Sequence, residues 1–319
     1  LILSLVFIIC TNSYFNFEQS LIYGGSDGRY YINISDAFPH FGKDIEYIKG
    51  ERFIFPYLVG LFSAVTNLDS FYIYQIFSLC SCFTIVFLFK IILDKIEIDQ
   101  NTKFFLLLLV IFNPYLLRYF IAIPTSLMDS IFIISLEIIL LAFISKKKKY
   151  FYLGIFLSTA ARQNGFIIYI TFLLLKLIFR KNSLLSYKDL FYITIIYFFI
   201  FFLNTLYAIN SVGEIKEIEK LYTDTLFGII NFNYSIKDFF KYISFPLLSF
   251  GPLVLFFILI YQFKFSLNMK NVNNEIGIYI LISSLLLIGI AFVGGPNITG
   301  KNLLRLSNYT FINLAFLIS

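Results

Sequence analysis

Residues 23–56 read YGGSDGRYYINISDAFPHFGKDIEYIKGERFIFP and form the longest polar interval in the first half of a mostly apolar chain. The stretch follows one apolar run and precedes a series of others. Its charged residues and histidine are denser than a connector between membrane helices requires: Asp27, Arg29, Asp36, His40, Lys43, Asp44, Glu46, Lys49, Glu51 and Arg52. We therefore predict that residues 11–70 form a catalytic loop with interfacial helices on the outer face of a membrane, presented by a scaffold of helices.

The composition indicates a membrane protein. Hydrophobic residues make up 59% of the 319 residues, charged residues 14%, and the mean hydropathy is +0.83. Repeated apolar runs of about 20 residues are typical of transmembrane helices. These runs do not alternate apolar and polar residues, as the strands of a membrane β-barrel would. The expected fold class is an all-α membrane protein, a single polytopic domain over residues 1–319 that is truncated at both ends.

The positive charge predicts the orientation of the chain. The net charge of +6 lies in short loops between apolar runs, which indicates membrane topology and excludes nucleic acid as a partner. The run Lys146–Lys149 is placed in the cytoplasm, and counting from it gives about ten spans with a second outer loop at 210–241. After the first loop, spans are expected at Phe71–Leu93, Phe104–Phe120, Leu127–Ser145, Tyr150–Ala161, Gly165–Phe179, Leu190–Ile209, Tyr242–Phe263, Glu275–Val293 and Leu303–Ser319.

The segment Phe53–Thr66 is apolar but only about 14 residues long, which is short for a span. We expect it to be an interfacial or half-inserted helix on the outer face. If it spanned the membrane instead, the polar stretch at 23–56 would face the cytoplasm.

Asp27 is the first candidate for chemistry. It lies between glycines in GGSDG, residues 24–28, where the backbone can turn sharply and the carboxylate is uncrowded. The pattern fits a general base toward an acceptor hydroxyl, an oxygen ligand of a divalent cation, or an ordinary turn residue. His40 is the only histidine and no CxxC or HxxxH occurs, which argues against a metal site rich in His or Cys.

Asp129 is the second candidate. It lies in IPTSLMDS, residues 123–130, just inside the outer end of a predicted span. A carboxylate facing lipid there would cost roughly 2–3 kcal/mol, so it should face a wet cavity or a cation. Stabilisation by the positive end of the helix dipole explains the residue equally well. Glu137, near the middle of the same span, fits a buried structural contact as well as a catalytic role.

Three arginines lie at predicted outer helix ends or re-entry points, where a guanidinium can bind phosphate in a bidentate manner. Arg162, on the tight turn AARQNG, favours such a role, whereas Arg118 is more typical of a side chain that snorkels to headgroups. Arg52 fits phosphate binding and interfacial anchoring equally.

With these residues in place, about the first 180 residues resemble the polytopic GT-C glycosyltransferases, of the mannosyltransferase or arabinosyltransferase kind. Four short motifs carry the resemblance in order: DGRYY at 27–31, ERFIFP at 51–56, NPY at 113–115 followed by TSLMD at 125–129, and AARQNG at 160–165. The first loop departs from some members, which have paired acids, in that a serine precedes its single Asp27.

The resemblance implies that a sugar passes, with inversion, from a polyprenyl-phosphate donor to a hydroxyl of a glycan, lipid or protein. It implies an outward-facing site in a membrane such as the bacterial inner membrane. Asp27 would be the base, and Asp129 would orient the acceptor or help to bind a divalent cation. The implied substrate-binding residues are Tyr31, Glu51, Arg52, Arg118 and Arg162.

Two other classes remain open. A transporter or flippase of lipid-linked sugars would have discontinuous helices and often an internal repeat, and no repeat is visible. A glycan polymerase or ligase of another fold would place its catalytic loop late in the chain, where residues 210–241 are the candidate. The absence of a Walker A or GxSxG pattern argues against a nucleotide-driven pump and a serine hydrolase.

Overall fold

The computed structural model describes residues 25–96, 98–113, 116–212, 274–293 and 306–311, with single positions at 237, 240, 244 and 313. Within these residues every regular element is a helix and none is a strand. The predicted all-α class is confirmed for this part of the chain. The second outer loop predicted at 210–241 and the span Tyr242–Phe263 fall almost entirely outside the described residues, as does most of Leu303–Ser319.

The helices of the described residues are numbered in chain order. They are α1 Gly25–Asp36, α2 Tyr47–Gly50, α3 Ile54–Thr66, α4 Ser70–Asp94, α5 Gln100–Phe112, α6 Leu117–Ala122, α7 Leu127–Ser145, α8 Lys148–Ala161, α9 Gly165–Phe179, α10 Tyr187–Ser211 and α11 Asn274–Val293. A 3-10 turn at Pro124–Ser126 leads into α7, and another follows α9 at Arg180–Asn182. Residues 306–311 are also helical.

Four stretches are long and apolar enough to cross a membrane: Ser70–Asp94, Gln100–Ala122, Pro124–Ser145 and Tyr187–Ser211. The second of them comprises α5 and α6 and includes positions 114 and 115, which lie outside the described residues. Of the ten or so expected spans, the described residues therefore support four. Two of the predicted spans are too short, because α8 has 14 residues and α9 has 15. At about 1.5 Å per residue, such helices reach about 20–23 Å, whereas the hydrocarbon core is about 30 Å thick.

Helix α7 is the centre of the bundle. In the most apolar 18 residues of Pro124–Ser145, 94% of the residues are buried. The corresponding values are 39% for Ser70–Asp94, 38% for Gln100–Ala122 and 28% for Tyr187–Ser211. Helix α8 lies close to α7 because Gly154 has no side chain, and a Cβ there would collide with Cγ1 of Ile139. The other three spans turn much of their apolar surface outward, as expected of helices that face lipid.

The N-terminal helices α1 to α3 pack on one end of this bundle. The hydroxyl of Ser35 on α1 lies 2.7 Å from the carbonyl oxygen of Pro56 on α3 and 3.0 Å from the hydroxyl of Tyr74 on α4. A Cβ at Gly60 would lie 2.8 Å from Cβ of Phe38 and closer still to the carbonyl of Ser35, so α3 approaches α1 through this glycine.

Residues 42–53 are held against the C-terminal end of α10. The amide of Gly42 donates to the hydroxyl of Tyr207 over 3.1 Å, and the amide of Ile45 donates to the carbonyl of Ser211 over 3.1 Å. The rings of Phe53 and Tyr207 stack with centroids 4.2 Å apart. The polar stretch is therefore a folded, anchored part of the protein.

The lysine run and the polar stretch lie at opposite ends of the bundle. The C-terminal end of α7 leads into Lys146–Lys149, and Lys148 pairs with Asp189 at the start of α10, with Nζ and Oδ2 2.6 Å apart. The opposite end contains the start of α7, the end of α8 and the end of α10, because Asn204 donates to the carbonyl of Thr159 over 3.1 Å. The residues of the polar stretch lie at this opposite end.

Candidate functional site

Asp27 lies in the first turn of α1 and carries two basic neighbours. Nζ of Lys49 is 2.5 Å from one carboxylate oxygen, and Nη1 of Arg52 is 3.9 Å from the other. The structure corrects the expectation of a glycine-rich turn, since residues 25–36 are helical. An acid in the first turn of a helix is stabilised by the unpaired amides there. The side chain of Asp27 remains 21% exposed, so its carboxylate is accessible from outside the protein.

Arg52 is buried, and its guanidinium is held from two sides. Nη1 donates to the hydroxyl of Tyr31 over 2.7 Å, and Nε donates to Oε1 of Gln163 over 2.8 Å. Gln163 in turn donates from Nε2 to the carbonyl of Ile48 over 2.6 Å and to Oε2 of Glu51 over 3.0 Å. A planar group with such partners has a fixed orientation, which a Lys at position 52 could not reproduce.

Burial raises the pKa of the Glu51 carboxyl above its usual value, although the hydrogen bond from Gln163 and the charge of Arg52 act in the opposite direction. Desolvation therefore outweighs the favourable contacts at this residue.

Asp129 and Arg162 form a second, more deeply buried pair. Nη2 of Arg162 contacts Oδ1 of Asp129, and the hydroxyl of Tyr309 donates to the same oxygen. Asp129 is 1% exposed and Arg162 6%. The guanidinium also lies over the Tyr309 ring, with its carbon 5.9 Å from the ring centroid. The cation that a carboxylate needs at this depth is thus supplied by Arg162, from the end of α8.

The two pairs are joined along the chain. Arg162, which binds Asp129, is followed directly by Gln163, which accepts from Arg52. A second contact joins the segments that carry Asp27 and Asp129. A Cβ at Gly28, next to Asp27, would lie 2.8 Å from Oγ1 of Thr125 in the turn that leads into α7. The first turn of α1 therefore rests on the segment that precedes Asp129.

Of the residues predicted from sequence, the structure brings together Asp27, Tyr31, Glu51 and Arg52 in one network and Asp129 with Arg162 in the other. Arg118 lies on α6, partly exposed, and its phosphate-binding role stays a prediction. His40 is exposed at the tip of the polar stretch.

Three further residues of the network had not been singled out: Lys49, Gln163 and Tyr309. Lys49 was visible only as one of many charges in the polar stretch, and Gln163 only as the neighbour of Arg162. Tyr309 lies in an apolar run far along the sequence, where nothing in the local pattern distinguishes it from other tyrosines.

The carboxylates of this site do not fit a divalent cation as they are arranged. Asp27 contacts an ammonium and a guanidinium, and Asp129 contacts a guanidinium and a phenol. Hard cations such as Mg²⁺ and Ca²⁺ take several oxygen ligands without cations among them. Among the described residues no group of three or more His, Cys, Asp and Glu could hold a metal ion.

No protein-family model, no curated protein and no solved structure matches this chain. Its function must therefore be inferred from the contacts above and from the chemistry that they permit.

Proposed function

We propose that this protein is a membrane glycosyltransferase of GT-C type, which moves a sugar from a polyprenyl-phosphate donor to an acceptor hydroxyl with inversion. The observation that supports it best is the partly exposed carboxylate of Asp27 between Lys49 and Arg52 at one end of an apolar helical bundle. A base and a phosphate-binding pair within one contact distance are what this reaction requires.

Lys49 and Arg52 are the candidate groups for the donor phosphate. They place two positive charges beside the carboxylate of Asp27, so a phosphate that enters here has an ammonium and a guanidinium to bind. Arg52 is already oriented by Tyr31 and Gln163, which lowers the cost of arranging it around the leaving group.

In the proposed reaction, a carboxylate oxygen of Asp27 accepts the proton of the acceptor hydroxyl. The acceptor oxygen forms a bond to the anomeric carbon while the bond from that carbon to the phosphate oxygen breaks. The leaving polyprenyl phosphate takes the bonding electrons, and Lys49 and Arg52 stabilise its charge. A single displacement of this kind inverts the anomeric configuration.

Asp129 and Arg162 have a positioning role in this proposal. The buried contact between them orients the end of α8, and Gln163 on the next position holds Arg52. In this proposal Arg162 binds Asp129, and the donor phosphate is bound mainly by Arg52 and Lys49.

The site is proposed to face outward. It lies at the end of the bundle opposite Lys146–Lys149, and runs of Lys are typical of the cytoplasmic side. A bacterial inner membrane with a cell-envelope glycan, lipid or protein as acceptor fits this orientation.

The test is glycosyl transfer by membranes that contain the protein, supplied with labelled polyprenyl-phosphate sugars. Asp27→Asn should lower the transfer rate by at least about 100-fold, because the amide cannot accept the proton. Asp36→Asn is the matched control, since Asp36 is an exposed acid at the other end of the same helix. Full activity in Asp27→Asn would contradict the assigned base, and equal loss in both variants would indicate general damage to α1.

A further inference from the structure

A cavity of about 410 Å³ lies beside the network and is lined in part by Gln163, the partner of Arg52. It is bounded by α8, α9, α10 and α11 and reaches Glu51 and Gln163 at one edge. Four residues that contact the carboxylates of Asp27 and Asp129 do not line it: Lys49, Arg52, Arg162 and Tyr309. The cavity therefore adjoins the site and shares Glu51 and Gln163 with it.

Two buried polar atoms on the cavity wall have no hydrogen-bond partner among the described residues. They are Oγ1 of Thr159 on α8 and Oδ1 of Asn204 on α10. Thr159 is 4% exposed and Asn204 5%, so bulk water does not satisfy them freely. Asn204 is held in place by its own amide nitrogen, which donates to the carbonyl of Thr159. A buried polar group without a partner is costly, which makes a ligand the natural partner.

The chemistry of the wall selects the kind of ligand. Oδ1 of Asn204 can only accept a hydrogen bond, and the hydroxyl of Thr159 can donate or accept. Glu51 at the edge adds another acceptor, so an anion is disfavoured here. Three aromatic residues complete the wall: Phe166, Tyr197 and Phe201. A ring that carries hydroxyl groups matches these features, because its hydroxyls can donate to the acceptors and its apolar face can lie on an aromatic side chain.

We propose that this cavity binds an uncharged, hydroxylated ring, with its hydroxyls on Thr159 and Asn204. The identification of this ring as a substrate rests on the proposed glycosyltransferase function. In that case the ring is the sugar or the acceptor, and the donor phosphate lies outside the cavity, toward Arg52. Gln163 then links the two compartments, because it lines the cavity and also accepts from Arg52.

The experiment is photolabelling of the full chain in lipid nanodiscs. The probes are hexyl glycosides of glucose, mannose and galactose that carry a diazirine on the alkyl carbon next to the ring. Labelled peptides are identified by mass spectrometry, and labelling is repeated with an excess of unmodified hexyl glycoside, hexyl phosphate or hexanol. At least one probe should label residues 159–167 or 197–204, and only the glycosides should compete.

Thr159→Val is the decisive variant, because it removes a hydroxyl without an internal partner and keeps the shape of the side chain. Labelling should fall about tenfold while the unfolding temperature is unchanged or higher. Thr171→Val is the control, since Thr171 is equally buried on α9 but its hydroxyl donates to the carbonyl of Ile167 over 2.8 Å. Thr171→Val should label like the unmodified protein.

Labelling by no glycoside, competition by hexanol or hexyl phosphate, or undiminished labelling of Thr159→Val would each overturn the proposal. Parallel transfer assays separate it from the proposed function. Glycoside binding that depends on Thr159 without any transfer would leave the cavity assigned and the enzyme rejected. Transfer that depends on Asp27 without such binding would do the reverse.

Discussion

At the scale of single residues, buried carboxyl groups of this protein fall into two kinds. Asp189 accepts from Nζ of Lys148 over 2.6 Å, from the hydroxyl of Tyr152 over 2.7 Å and from Ser186. Glu137, in the middle of α7, is fully buried, and neither of its carboxyl oxygens has a hydrogen-bond partner among the described residues. Removing the Glu137 carboxyl group should therefore stabilise the folded protein, whereas removing that of Asp189 should destabilise it.

We predict that Glu137→Leu raises the free energy of unfolding by about 1–3 kcal/mol, because it removes an unsatisfied buried group from an apolar helix. Asp189→Leu is the matched control and should lower it by about 1–2 kcal/mol, since the hydroxyl of Tyr152 and the amide of Ser186 lose their acceptor, while the exposed Lys148 contributes little. Thermal and chemical unfolding in detergent would measure both. A destabilised Glu137→Leu would mean that Glu137 has a partner or role beyond the described residues.

At the scale of the helices, short-range sequence features predicted well where a helix runs and poorly how helices meet. The apolar segment Phe53–Thr66 was expected as a helix, and α3 begins one residue later and ends at Thr66. Asp27 was expected in a turn, yet it lies in the first turn of α1, where Gly28 approaches Thr125 in the segment before α7. Tertiary packing of this kind can override the low helix propensity of glycine. Close contacts through glycine, as at Gly60 and Gly154, have no distinct sequence signal.

We predict that Gly60→Ala lowers the stability of the α1–α3 contact and, with it, transferase activity. Its Cβ would meet the carbonyl of Ser35, a backbone atom that cannot turn aside, so the two helices must separate. Gly277→Ala on α11 is the control, since nothing lies within 4 Å of its added Cβ. The control should be neutral or stabilising by up to about 1 kcal/mol, because alanine favours a helix over glycine.

The measurement for this pair is the unfolding midpoint in detergent together with the transfer rate. An unchanged midpoint in Gly60→Ala would show that α1 and α3 can move apart without cost. That result would remove the packing argument for how Asp27 is held.

At the scale of the whole molecule, the bundle places all parts of the candidate site at one end and the lysine run at the other. Helices α7, α8 and α10 decide this, because the start of α7 and the ends of α8 and α10 meet beside the polar stretch. If they cross the membrane as proposed, Lys43 and Lys147 must face opposite sides.

We predict that a cysteine at position 43 reacts with a membrane-impermeant maleimide in intact cells, and that one at 147 reacts only after permeabilisation. Both native side chains are exposed, and the three native cysteines would be replaced by serine. The result follows from the positive-inside rule applied to Lys146–Lys149. Labelling of both positions from the same side would contradict the orientation, and labelling of 43 only from inside would rule out an outward-facing site.

The sequence alone determined the class of the molecule, the main helices and the acids worth testing. Apolar runs, lysine loops and the dense charges of residues 23–56 are local properties of the sequence. They suffice for this purpose because lipid favours apolar runs of sufficient length and lysine-rich loops stay on the cytoplasmic side. For the described residues the sequence overestimated the number of spans, because helices α8 and α9, of 14 and 15 residues, were counted as spans although they are short for the bilayer.

Only the tertiary structure decided which charges meet. It paired Asp129 with Arg162 and with Tyr309, and Tyr309 lies 180 positions after Asp129 in the sequence. It also paired Arg52 with Gln163, which are 111 positions apart. It also created the cavity between Thr159 and Asn204. Such contacts depend on the direction in which each helix presents its side chains once the bundle has packed, and no local pattern contains that information.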